Sequence, residues 1–117
     1  MLTHGTFFSH TDVIPIVSRI IRAAWNSSAD YLEHDEIVAA LLKDPESAAV
    51  IGEKHEHDAA QGGGRSLQGF AGNMVAWFSH WWEKGYYRLA DEFERKNIGG
   101  KMAFRPARQQ REMKRSR

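Results

Sequence analysis

Apolar residues recur at intervals of three and four along most of the chain, and start and stop signals divide this pattern into helical segments. From Thr11 or Asp12, either of which can cap a helix, Val13, Ile14, Val17, Ile20, Ile21, Ala24 and Trp25 predict a buried amphipathic helix ending near Asn26-Ser27-Ser28. Pro15 is compatible with this helix only in its first turn. Tyr31 and Leu32 form a short apolar pair, after which Ile37, Val38, Leu41 and Leu42 predict a second helix to about Lys43. Asp44-Pro45-Glu46 opens a third, because Asp accepts orphan amide protons, Pro presets helical φ and Glu complements the dipole. That helix runs through Ala48, Ala49, Val50 and Ile51 towards His57, and Gln61-Gly62-Gly63-Gly64 follows as a joint. The most regular stripe comes next. Ser66 caps a segment in which Leu67, Phe70, Ala71, Met74, Val75, Phe78, Trp81 and Trp82 are spaced 3, 1, 3, 1, 3, 3, 1, and Gly85 stops it after Lys84.

Helical periodicity then ceases. Tyr86 to Glu92 is open to a strand, a helix extension or a loop. Phe93 to Ile98 and Lys101 to Arg105 flank Gly99-Gly100, a dipeptide that accepts the positive φ angles of a tight hairpin turn, and Pro106 ends the second strand. The expected fold is therefore mainly α with a small β-hairpin: about four helices in one domain over residues 11–106, preceded by an arm over 1–10 and followed by a polar tail over 107–117.

A length of 117 residues with 42% hydrophobic and 26% charged residues fits a single folded core. The absence of cysteine excludes disulfides, thiolate metal sites and a cysteine nucleophile. The opening residues lack a basic segment followed by an apolar run, and no stretch approaches the roughly 18 apolar residues of a membrane span. The expectation is an unprocessed, cytoplasmic protein with no membrane partner.

The net charge of +1 hides an uneven distribution. Residues 101–117 carry seven basic side chains (Lys101, Arg105, Arg108, Arg111, Lys114, Arg115, Arg117) against Glu112, which leaves the first hundred residues at −5. A basic end on an acidic body points to a polyanionic partner through counterion release, or serves as a solubilising terminus.

The order of helix, short extended pair, helices and terminal hairpin resembles the winged helix-turn-helix family. The likeness is carried by Tyr31-Leu32 ahead of the Ile37 to Leu42 helix, by Asn73-Met74-Val75-Ala76-Trp77-Phe78, and by Phe93 through Arg105 as the wing. It implies a DNA-binding module, in the manner of a prokaryotic transcriptional regulator, whose last helix (residues 66–84) enters the major groove while the wing tracks phosphates. The chain departs from the compact motif by an insertion over about Asp44 to Gly64, and by Asp91, Glu92 and Glu94, which would repel phosphate.

On that helix the face opposite the stripe carries Gln68, Gly69, Gly72, Asn73, Ala76, Trp77, His80 and Lys84. Gln68 and Asn73 can pair bidentately with adenine, and Arg65 sits where it can reach a phosphate beside the helix N-terminus. The other reading of this face is an ordinary polar helix surface. The wing contributes Arg95, Lys96, Lys101 and Arg105, with Phe93, Met102 and Phe104 as anchors, and the tail adds Arg108, Arg111, Lys114 and Arg115. An edge hairpin also carries such charges merely to discourage aggregation. Phe78, Trp81 and Trp82 are expected in the core and Trp77 at a flank. The alternative function is therefore a non-enzymatic protein-interaction adaptor using the aromatic surface around Trp77.

Double-stranded DNA is the expected partner, with a homodimer as the arrangement that would engage tandem half-sites. His55-Glu56-His57-Asp58, with His34, Asp35 and Glu36 elsewhere, is read as a solvated polar surface, because positions two apart on a helix point about 200° from each other. Neither a metal nor a cofactor is implied. No phosphate loop or nucleophile elbow is present, so no enzymatic activity is expected.

Overall fold

The computed structural model describes residues 8–25 and 30–107. Among them the chain forms helices α1 (His10–Ala24), α2 (His34–Lys43), α3 (Pro45–Ala60) and α4 (Leu67–Lys84). A 3₁₀ turn (Tyr86–Arg88), the single-turn helix α5 (Leu89–Glu92) and strands β1 (Phe93–Ile98) and β2 (Lys101–Pro106) complete it. This is the expected mainly helical layout with a two-stranded antiparallel hairpin after the last helix. The predicted end of the first helix at Asn26-Ser27-Ser28 and the tail residues Arg108, Arg111, Lys114, Arg115 and Arg117 lie outside the described residues, as does most of the predicted arm.

The caps lie where the sequence places them, with one shift. Ser9, not Thr11 or Asp12, precedes α1, and its carbonyl accepts from the amides of Asp12 and Val13. Pro15 is consequently the sixth residue of α1, beyond the first turn. It is accommodated because both Pro15 and Thr11, whose carbonyl loses its helical donor, are exposed to solvent. At α3 the Asp44 carboxylate accepts from the Ser47 amide at 3.0 Å and from its hydroxyl at 2.9 Å, with Pro45 at the first helical position. Arg19 of α1 meets the same carboxylate with two bonds of 3.0 and 2.7 Å and reaches Glu46 at 2.8 Å, so the start of α3 is tied to α1. This pair holds the Asp44 carboxyl well below the usual carboxylate range. Ser66 caps α4 through the Gly69 amide at 3.0 Å, and Gly85 ends it at φ 81°.

Helix α4 lies at the centre, touching α1, α2 and α3. Its Phe70, Ala71, Met74, Val75, Phe78 and Trp81 are buried among Val13, Val17 and Ile21 of α1 and Ile37 and Leu41 of α2 in one core. Helix α3 packs on α2 and α4 and buries only Ser47 and Ile51.

The hairpin closes the open end of this bundle. Its register pairs Phe93 with Pro106 and Ile98 with Lys101, so Gly99 and Gly100, at φ 62° and 86°, form the two-residue turn and Pro106 belongs to the strand. Leu32 exchanges backbone hydrogen bonds with Phe104 at 2.8 and 2.9 Å, an isolated antiparallel bridge that holds the Tyr31-Leu32 pair beside β2. Phe78 meets the rings of Phe93 and Phe104 edge-on at 5.6 and 5.1 Å, which seats the hairpin on α4. Tyr86 to Glu92, left open by the sequence, is a tight corner in which Tyr87 and Arg88 both adopt left-handed backbone angles, φ 52° and 58°. Among the described residues no helix is long and apolar enough to cross a membrane.

Candidate nucleic-acid interface

Helix α4 leaves open a narrower strip than its periodicity predicts. Gly69, Ala76, Glu83 and Lys84 are exposed, and Gly72, Asn73 and His80 are half-buried between them. Gln68 is exposed at the N-terminal end, with Arg65 just before it and the Arg65 guanidinium 5.2 Å from the centre of the Phe70 ring. Two residues expected on the readable face are turned into the protein. Trp77 stacks on Trp81 at 5.1 Å and is met edge-on by His80 at 5.6 Å, and its indole nitrogen is buried. The Asn73 side-chain oxygen is likewise buried, and neither atom has a hydrogen-bond partner among the described residues. The cause is crowding: a helix gripped by three others has only a thin arc left for solvent, and the large indole leans back over the core. Trp82, expected in the core, is only partly buried.

Where α2 crosses α4, the His34 ring lies over Gly72, close enough that an added β-carbon would sit 3.4 Å from His34 Nε2. Between the start of α2, α4 and the hairpin tip is a groove of about 250 Å³ lined by His34, Val75, Ala76, Ser79, Lys101 and Met102. Burial, with the Lys101 ammonium nearby, pushes the His34 pKa below its ordinary value.

The electrostatics of the wing depend on the partners its cations find. Lys101 pairs with Asp35 of α2 at 3.2 Å. Arg105 pairs with Glu94, its cross-strand neighbour, at 2.7 Å and with Asp30, and lies 4.2 Å over the Tyr31 ring. Arg95 is directed at α4, where it meets Ser79 and Glu83. Lys96 alone of the four makes no ion pair among the described residues; its ammonium sits 5.7 Å from the Tyr31 ring centre. The carboxylates expected to repel phosphate are similarly engaged: Asp91 with Arg88 at 3.0 Å, Glu92 with Arg22, and Glu94 with Arg105. The hairpin is thus close to locally neutral, with Lys96 on its outer face and Lys84 exposed at the end of α4.

In the His-rich segment Glu56 and His57 are exposed, whereas His55 and Asp58 are half-buried. His55 packs edge-on against Phe70 at 6.3 Å, and Asp58 accepts from the Arg65 amide at 3.4 Å. Among the described residues no group of three or more His, Cys, Asp or Glu is placed to hold a metal ion.

The sequence reading missed Ser79 and Glu83 as partners of Arg95, and Asp30, Tyr31 and Asp35 as partners of the wing. One signal was present. Strand alternation from the anchoring Phe93 places Arg95 on the same, inward face. The other partners are 66 and 75 residues away along the chain and leave no local trace.

The chain was compared with protein-family models, with curated proteins and with solved structures, and it matches none of them.

Proposed function

We propose that this chain is a DNA-binding winged-helix module, with α4 as the helix that approaches the groove and the hairpin and basic tail as its flanking phosphate contacts. The observation that carries the reading is the juxtaposition of a helix face made of small and polar residues (Gly69, Gly72, Ala76, His80) with a hairpin seated directly on that helix. Small side chains allow the helix backbone close approach to base edges, and the wing extends the contact along the backbone. The pairing pattern redistributes the expected roles. Gln68, His80 and Lys84 are available on α4 and Lys96 on the wing, whereas Lys101 and Arg105 are neutralised by carboxylates of the same chain; the sequence beyond residue 107 adds five basic residues against Glu112.

Fluorescence anisotropy of a labelled mixed-sequence duplex, repeated over a range of salt, tests this directly. Binding is expected to weaken steeply with salt. Lys96→Gln or Lys84→Gln should each reduce the log–log slope by about 1, and neutralising Arg108, Arg111, Lys114 and Arg115 together should reduce it by roughly one per residue in contact. Absence of binding at low salt, or binding indifferent to salt, overturns the reading.

A second reading, a protein-interaction adaptor, draws support from a different place than Trp77. Tyr86 and Tyr87 are 41% and 59% exposed, in a corner whose left-handed backbone is unfavourable for bulky residues. Their rings gather around His10, which lies 5.5 and 5.6 Å from them and 5.9 Å from Trp81. If this corner mediates self-association, Tyr87→Ser shifts the mass seen by light scattering from dimer to monomer; a wild-type chain that is monomeric at high concentration removes the dimer.

A further inference from the structure

Of the hairpin's cations, Arg95 is the one directed at α4. Phe93, Arg95 and Asn97 share one face of β1, and Phe93 is wholly buried, so the Arg95 side chain follows it inward and retains 17% of its exposure. Its Nη1 donates to Ser79 Oγ at 2.8 Å and to the Ser79 carbonyl at 3.4 Å, and its Nη2 donates to Glu83 Oε1 at 2.9 Å. The guanidinium lies 4.3 Å over the Trp82 ring, and Trp82 Nε1 donates to the Phe93 carbonyl at 2.8 Å. Two alternate residues of β1 are thereby bound to positions 79, 82 and 83, which lie three and four apart on one side of α4.

We infer that Ser79, Trp82, Glu83 and Arg95 form a clamp that sets the angle of the wing to α4, making Arg95 a positioning residue of the nucleic-acid interface and not a phosphate contact. An isolated two-stranded hairpin is marginal in water, and a wing free to swing would lose ordering entropy on meeting DNA; fixing it beforehand removes that cost. Arginine suits the task because its planar fork meets two acceptors at once while its face covers an indole. A lysine at this position offers one ammonium and no such face. The groove lined by Ser79 and Lys101 lies between wing and helix, so loosening the clamp would alter its width.

The functional arm of this inference rests on the DNA-binding reading; the structural arm does not. Hydrogen exchange at the Trp82 indole, followed by NMR, is expected to quicken about tenfold or more in Arg95→Gln and in Arg95→Lys, since either change removes the guanidinium that covers the ring and lets the indole bond to the Phe93 carbonyl open more often. In the anisotropy assay both variants should bind duplex about tenfold more weakly at fixed salt while keeping the wild-type salt slope. Ser79→Ala combined with Arg95→Gln should be no weaker than Arg95→Gln alone, because both act on one unit. A slope lower by about 1 in Arg95→Gln, with Ser79→Ala silent, would identify Arg95 as a phosphate contact and overturn the inference. Full recovery by Arg95→Lys, or unchanged Trp82 exchange, overturns it as well. Should wild-type protein not bind duplex, the DNA reading fails while indole exchange still decides the clamp.

Discussion

Helices α3 and α4 are nearly equal in length, 16 and 18 residues, and each begins with a side-chain cap on its first amides. They differ in what they hold together. Helix α4 buries seven residues and touches every other long helix, whereas α3 buries Ser47 and Ile51 and leaves most of its second half in solvent. A good cap therefore establishes that a helix starts, but the continuity of the apolar stripe decides whether it becomes a central or a peripheral element. For α4 the stripe runs from Phe70 to Trp81; for α3 it stops at Ile51, after which Lys54, His55, Glu56, His57 and Asp58 offer little to bury. Helix α3 is a peripheral attachment to the core built around α4.

The contrast can be tested by a graded series of substitutions. The largest effect is expected from Phe78→Ala, which removes the ring that joins α4 to both hairpin strands and should destabilise by roughly 3–5 kcal/mol in denaturant unfolding. Ile51→Ala, the corresponding truncation on α3, should cost about 2 kcal/mol, near the lower end for a buried isoleucine. A cost equal to that of Phe78→Ala would mean that α3 is integral to the core after all.

A smaller effect is expected from charge at the start of α3. The Asp44 carboxyl is held below its unfolded value by Arg19, so the folded state favours the ionised form. Its contribution is complete above the unfolded value of about 4 and fades as the pH falls further, because the unfolded chain takes up a proton more readily. Asp44→Asn keeps a competent cap but loses the ion pair, and should flatten the acid limb of a stability-against-pH curve below about pH 4 while changing little about the helix. An unchanged acid limb would show that the Arg19 pair is inert in solution.

The smallest effects compare one substitution on the two helices. Gly52 lies within α3 with open space where a β-carbon would go, so Gly52→Ala should stabilise by roughly 0.5–1 kcal/mol. On α4 the β-carbon of Gly72→Ala would touch the His34 ring at 3.4 Å, and a smaller gain is expected. Thermal melts of the two variants give the difference, and equal gains would show that α2 does not press on α4 at this point.

The fold was legible because its signals are local. Asp44-Pro45, Ser66, Gly85 and Gly99-Gly100 each act on the backbone within a few residues, and they mark helix ends and the hairpin turn almost where the structure has them. The start of α1 was less sharply marked: Ser9 precedes it without a side-chain cap bond, and only its carbonyl accepts from Asp12 and Val13. The candidate site was less legible. Asn73 and Trp77 fall on the polar side of the periodic pattern, yet the Asn73 side-chain oxygen and the Trp77 indole nitrogen are buried, because periodicity on one helix carries no information about how many neighbours surround it.

What the sequence determined by itself is the succession of elements, the face of α4 that enters the core, and the concentration of positive charge towards the end of the chain. What only the tertiary structure decided is which of those charges are spent within the molecule. Lys101 finds Asp35, Arg105 finds Asp30, and Arg95 finds Ser79 and Glu83 only after the hairpin folds back onto α2 and α4. Capping and turn formation act along the chain over a few residues, whereas ion pairing acts through space over a few ångströms, and the chain's path between those points is known only once it has packed.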